Sequence, residues 1–141
     1  MNRFLAAAAA AALLAALPAH AQGWPDKPVK VIVGFPPGGA ADQIARLIST
    51  PLGEALGQPV LVENRPGANG NVAGDAVAKS PADGYTLLLS SGGMVSVNPH
   101  LYAKMPFEPL RDTVAITQVG DVPNILVVGP SVKANSVAEL V

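Results

Sequence analysis

The chain has 141 residues, half of them hydrophobic, a composition typical of a globular protein rather than a disordered one. Nine basic and ten acidic residues give a net charge of −1 with no concentrated basic patch, so nucleic acid is excluded as an expected partner. There is no cysteine, so disulfides are excluded and stability must come from a core or from further chain.

Residues 1–21 read as a signal peptide. Arg3 supplies the positive start, Leu5 to Leu17 is an Ala/Leu run, and Ala19-His20-Ala21 has the small-x-small form of a cleavage site. The run is too short to span a bilayer, and no later segment reaches that length. Cleavage near Ala21-Gln22 removes 21 of 141 residues and leaves 120. Eight basic residues then face ten acidic ones, a net charge near −2 on an exported chain.

Val29–Val33 is apolar and β-branched, the signature of a strand. Gly34-Phe35-Pro36-Pro37-Gly38-Gly39 interrupts regular structure. Ala41, Ile44, Ala45 and Ile48 then recur at helical spacing, which predicts a helix from about Gly39 to Leu56. Gly57 suits the position after a helix end, and Pro59 prevents continuation. Pro51 falls inside the pattern and predicts a kink, or a restart capped by Ser49 or Thr50.

A second strand is expected over Val60–Glu63 and a second helix over about Asn71–Lys79. Ala82-Asp83-Gly84 reads as a turn, and Tyr85–Ser90 as a third strand covered on both faces. Asn98-Pro99 opens a short helical turn through Tyr102. Val114–Val119 and Asn124–Val128 are read as two more strands. Ser136 and Glu139 form a capping box that opens a helix reaching Val141. So short a helix is not stable alone, and the expectation is that this is the front part of a longer protein.

Alternating strands and helices predict an α/β fold with a mainly parallel sheet. Ligands of such sheets sit beyond the carboxyl ends of the strands. The loops after the first and third strands, Gly34–Gly39 and Ser90–Gly93, both fall there. The first loop is neither a Walker A loop nor a dinucleotide fingerprint. It reads either as a backbone cradle for a carboxylate at a helix N-terminus or as a tight turn that binds nothing. The two prolines favour the cradle because they pre-organise the turn. Asp42, near the third helical position, is an organiser of that pocket. Ser90, Ser91 and Ser96 suit hydrogen bonding to a ligand. They lack the nucleophile elbow, and His100 is the single histidine after the signal peptide, so no catalytic residues are assigned. Arg65 is expected to hold its turn, by pairing with Glu63 or Asp75 or by donating to carbonyls. Trp24 and Tyr85 read as packing residues. No cluster has metal-ligand spacing, and no metal or cofactor is expected.

Several segments together carry a resemblance: Trp24-Pro25-Asp26-Lys27-Pro28-Val29, Val33 to Gly39, Leu56-Gly57-Gln58-Pro59-Val60, Val62-Glu63-Asn64-Arg65-Pro66-Gly67-Ala68, Asp83 to Leu88, and Asn98 to Tyr102. In this order they resemble the Bug family, the extracytoplasmic solute receptors of tripartite tricarboxylate transport systems. The resemblance implies a type II-like periplasmic binding protein with two lobes and about twice this length. Residues 22–121 would be the first part of lobe one. Residues 122–141 would be the hinge and the start of lobe two, with Val114–Val119 as the crossing strand. It implies a small carboxylate ligand: a tricarboxylate, a dicarboxylate or a related organic acid. Phe35, Pro36, Pro37, Gly38, Gly39 and Ala40 would line the site, organised by Asp42, with Ser90, Ser91 and Gly92 as a second wall. Where many relatives carry Thr, this chain has Ala41, which removes a hydroxyl from the site.

The function expected is therefore periplasmic capture of an organic acid by a monomer that delivers it to the membrane subunits of a transporter. The alternatives are a ligand-sensing domain for a signalling partner and an exported serine hydrolase using Ser90 or Ser91.

Overall fold

The structure is a computed structural model that describes residues 23–123 and 125–141. The expected signal peptide lies outside the described residues. Three strands form a parallel sheet in the order β2-β1-β3: β1 (Val29–Val33), β2 (Val60–Asn64) and β3 (Thr86–Leu89). Val29 pairs with Val60 and Val33 with Asn64 on one side of β1; Lys30 pairs with Thr86 and Val33 with Leu89 on the other.

The crossover from β1 to β2 is helix α1 (Ala40–Leu56), and that from β2 to β3 is α2 (Asn71–Ala78), preceded by a 3₁₀ turn at Ala68–Gly70. The chain steps outward from β1 to β2 and then back across β1 to β3. Right-handed crossovers in opposite directions place α1 and α2 on opposite faces of the sheet. On the α1 face, Val31, Val33 and Leu89 bury against Ala45, with Phe35, Ala41, Val60, Val62 and Leu87 packed around them. Strand alternation turns Ile32 and Leu88 to the other face. There α2 buries Ala73 and Gly74, and the ring of Phe107 lies over Gly74.

Helix α1 runs unbroken through Pro51, which corrects the expected restart. The Ser49 hydroxyl donates to the Arg46 carbonyl at 2.9 Å instead of capping a new helix. Gly57 ends α1 with φ 67°, the left-handed conformation its missing Cβ allows, and its amide and that of Gln58 return to Glu54 and Gly53.

Beyond β3 come short helices α3 (Gly92–Ser96), α4 (Asn98–Leu101), α5 (Pro109–Asp112) and α6 (Val137–Leu140). At α6 the Ser136 hydroxyl accepts from the Glu139 amide, as the capping pattern requires. The strands expected over 114–119 and 124–128 are not formed in the described residues; residue 124 lies outside them. Val114, Ile116, Ile125 and Val127 are each more than three-quarters exposed. These segments have the β-branched composition of strands, but a strand needs a neighbour to bond its amides and carbonyls, and none pairs with them here.

At the edge where the strands begin, Trp24 and Tyr85 pack with ring centroids 5.9 Å apart, and Lys27 lies 4.2 Å from the Tyr85 ring centre. This is the packing role expected of both aromatics. Arg65 pairs with Glu63 at 2.7 Å, one of the partners anticipated for it.

Candidate functional site

The carboxyl edge of the sheet gathers the loops that follow all three strands. Val33 and Leu89 are register partners, so the loops after β1 and β3 start side by side. The order β2-β1-β3 makes this the point where successive crossovers diverge, the usual ligand position in open α/β sheets. Close backbone packing fixes the junction. A Cβ on Gly34 would lie 2.7 Å from the Cα of Gly70 and 3.1 Å from the Met94 methyl. Met94 is fully buried, so α3 is anchored onto the loops after β1 and β2.

Pro36, Pro37, Gly38, Gly39 and Ala40 are all exposed on this edge, and Phe35 is half-buried. Gly39 is the N-cap of α1 with no side chain capping it. The loop spends part of its hydrogen-bonding capacity internally. The Gly38 amide donates to the Asp42 carboxylate at 2.9 Å, and the Gly39 amide makes a long 3.4 Å bond to the Pro36 carbonyl. The amides of Ala40, Ala41 and Asp42, in the first turn, have no acceptor among the described residues. They are the donors left at the positive end of a 17-residue helix.

Asp42 itself faces inward, its side chain 4% exposed. Both its oxygens accept from Arg46 Nε at 3.0 Å, Oδ2 accepts the Gly38 amide, and Oδ1 accepts from Asn64 Nδ2 at 2.9 Å. Arg46 foremost, with Gly38 and Asn64, holds the Asp42 carboxyl down at about 2. The same Asn64 amide donates to the Phe35 carbonyl at 3.1 Å, and Arg46 Nη2 reaches Asn64 Oδ1 at 3.2 Å. Asn64 and Asp42 thus tie the two ends of the glycine loop, with Arg46 bonded to both, and sequence reading missed Arg46 and Asn64. The i,i+4 spacing of Asp42 and Arg46 was the available signal for one of them.

On the β3 side, Ser91 caps α3 by accepting from the Met94 amide at 3.2 Å. Ser90, exposed, turns its hydroxyl to the Ser91 carbonyl and the Met94 sulfur, and Gly92 is exposed. His100 is exposed and bonds to neither serine. Under the loops lies an amide cluster, with Asn71 and Asn98 buried and Asn69 exposed, that sequence reading also missed. Asn98 Nδ2 donates to Asn71 Oδ1 at 2.7 Å and to the Asn69 carbonyl, while Asn69 Nδ2 donates to Asn98 Oδ1. Among the described residues no group of three His, Asp or Glu side chains is placed to hold a metal ion.

The arrangement offers main-chain donors and a helix dipole with no free cation among the residues that bear on them, chemistry suited to a small anion. Residues 44–141 match the Tripartite tricarboxylate transporter family receptor. Protein BugT of Bordetella pertussis is 46% identical over 127 residues, covering 89% of this chain and 39% of its own. Two solved structures share the fold. One described as a periplasmic transporter is 39% identical with TM-score 0.61, over 62% of this chain and 30% of its own. The other, from R. palustris and solved with adipate, is 41% identical with TM-score 0.60, over 62% of this chain and 29% of its own. The chain spans about two fifths of the length of the curated relatives it matches. The family consists of solute-binding receptors, not enzymes. By sequence and by fold, this chain belongs to the tripartite tricarboxylate transporter receptor family, the Bug proteins.

Proposed function

We propose that the protein is a periplasmic receptor that captures a small organic acid and presents it to the membrane subunits of a tripartite tricarboxylate transporter, working as a monomer. The observation that carries this is the set of unsatisfied first-turn amides, Ala40, Ala41 and Asp42, at an exposed edge beside the β3 loop. Phe35 to Ala40 form one wall, organised by Asp42, and Ser90 to Gly92 a second. Residues 22–121 are the first part of one lobe, residues 122–141 lead into another, and ligand shifts the balance from open to closed. The exposed apolar side chains of 114–128 are those a second lobe would cover.

A dicarboxylate or tricarboxylate is the substrate class; the adipate held by the R. palustris relative is one such acid. Each charge-assisted hydrogen bond contributes roughly 1.5–3 kcal/mol net. Three or four support micromolar binding, about −8 kcal/mol, after ordering costs. The test is thermal shift and calorimetry of the full chain, confirmed free of ligand by mass spectrometry, against adipate, succinate and citrate. At least one acid should raise the Tm and bind; silence toward all three overturns the reading.

A further inference from the structure

We infer that Arg46 is the positioning residue of the anion site: it masks the charge of Asp42 so that a second negative group can be accepted at the neighbouring amides. This rests on the carboxylate-receptor reading above. An acidic side chain two residues into the very helix end that is to receive an anion poses an electrostatic conflict. Like charges a few ångströms apart repel strongly wherever water is partly excluded. The geometry resolves it. Asp42 is buried beneath the loop, bonded to its Gly38 amide and turned away from solvent, and the Arg46 Nε lies 3.0 Å from each carboxylate oxygen. The Gly38 amide and Asn64 Nδ2 take further lone pairs, leaving the carboxylate both neutralised and saturated.

Arg46 is also committed to that task. Its Nη2 is held by Asn64 Oδ1, which orients the guanidinium between α1 and β2. The other charged groups on the packed elements lie away from Asp42: Lys30 is the second residue of β1, toward the opposite edge of the sheet. Glu63 of β2 pairs with Arg65 just beyond the strand, and the remaining carboxylate of α1, Glu54, lies three turns away toward the other helix end. Asp42 therefore has one counter-charge among the described residues. Arg46 acts through Asp42 and does not itself touch the ligand.

The prediction separates charge masking from mere support. In Arg46→Met, adipate binding at neutral pH should weaken roughly tenfold, from the exposed like charge. Arg46→Lys, which keeps the cation but loses the planar fork, should stay within about threefold of the parent. Asp42→Asn combined with Arg46→Met should recover to within about threefold, because the unmasked charge is gone. A purely structural Arg46 predicts the opposite: the double variant binds as poorly as the single one or worse, and that result overturns the inference. A readout without ligand accompanies it. The Gly38 amide resonance follows protonation of Asp42, and its midpoint should climb from about 2 toward the ordinary carboxylate range in Arg46→Met. A midpoint that stays put overturns the inference and leaves the receptor reading intact. Failure of the parent chain to bind adipate, succinate or citrate overturns the receptor reading and, with it, this one.

Discussion

Gly34 and Gly70 meet backbone to backbone: a Cβ on Gly34 would sit 2.7 Å from the Cα of Gly70, with the Met94 methyl 3.1 Å away. This contact joins the end of β1 to the loop after β2 and fixes where the glycine loop begins. Glycine is required there by space, because the opposing atom is main chain and has no rotamer to turn aside.

Gly34→Ala should therefore lower stability by about 1–3 kcal/mol, the usual cost of overpacking a tight site. Thermal denaturation should show a drop of several degrees. Met94→Ala on the same background should not restore it, since the closer clash is with Gly70. A full rescue by Met94→Ala would mean that the methyl, not the backbone, sets the limit.

The donors left free at α1 can be removed one at a time. Ala40 is the first residue of the helix, where proline is well tolerated and the missing N–H costs no internal bond. Gly39 has φ −75° and ψ 168°, the extended conformation preferred before proline. Ala40→Pro should leave Tm unchanged or slightly raised. Binding of adipate should weaken about tenfold or more, the loss of one charge-assisted hydrogen bond of roughly 1.5–3 kcal/mol. Calorimetry beside a melting curve separates the two effects. Unchanged affinity would take the Ala40 amide out of the site.

Much of this was legible in the sequence, and the reason is local. Strand β1, the glycine loop and α1 are each specified by residues adjacent in the chain, so periodicity and punctuation place them within a residue or so. The Asp42–Arg46–Asn64 cluster needed one more piece, the register that sets Val33 opposite Asn64 and brings the end of β2 under the loop. Asn98 lies 27 residues from Asn71 and 29 from Asn69, so no pattern in either segment announces their bond. The opposite error occurred at 114–119. Its β-branched residues record a capacity to pair, but pairing is a property of two segments, and the described sheet ends at β3.

The amide cluster should be a strong stability determinant. Asn98 is fully buried, and Asn71 nearly so. Asn98→Leu would strand Asn71 Oδ1 and the Asn69 side chain without their partner. Asn69 is exposed and its side chain can turn to water, so the penalty falls on the buried Asn71 Oδ1, and a loss of roughly 1–3 kcal/mol is expected in urea unfolding. Asn98→Asp, which can still accept from Asn69 but cannot donate to Asn71, should fall no less than Asn98→Leu at neutral pH.

Asp42 makes stability depend on acid in a defined window. Its folded pKa of about 2 lies below the roughly 3.9 of an unfolded aspartate, so the folded state binds the proton less readily. The contribution is complete above the unfolded value and is lost as pH falls through the folded one. Melting temperatures of the parent chain and Asp42→Asn should therefore differ most, and by a constant amount, above about pH 5. The gap should close between roughly pH 4 and 2, because the protonated parent comes to resemble the amide. Asp83 and Asp112 are also held low, by the Tyr85 amide and by Arg111 respectively, but both are present in each protein and cancel in the difference. A gap that persists unchanged down to pH 2 would show that the hydrogen-bond geometry at Gly38 and Asn64, and not the charge on Asp42, is what the loop depends on.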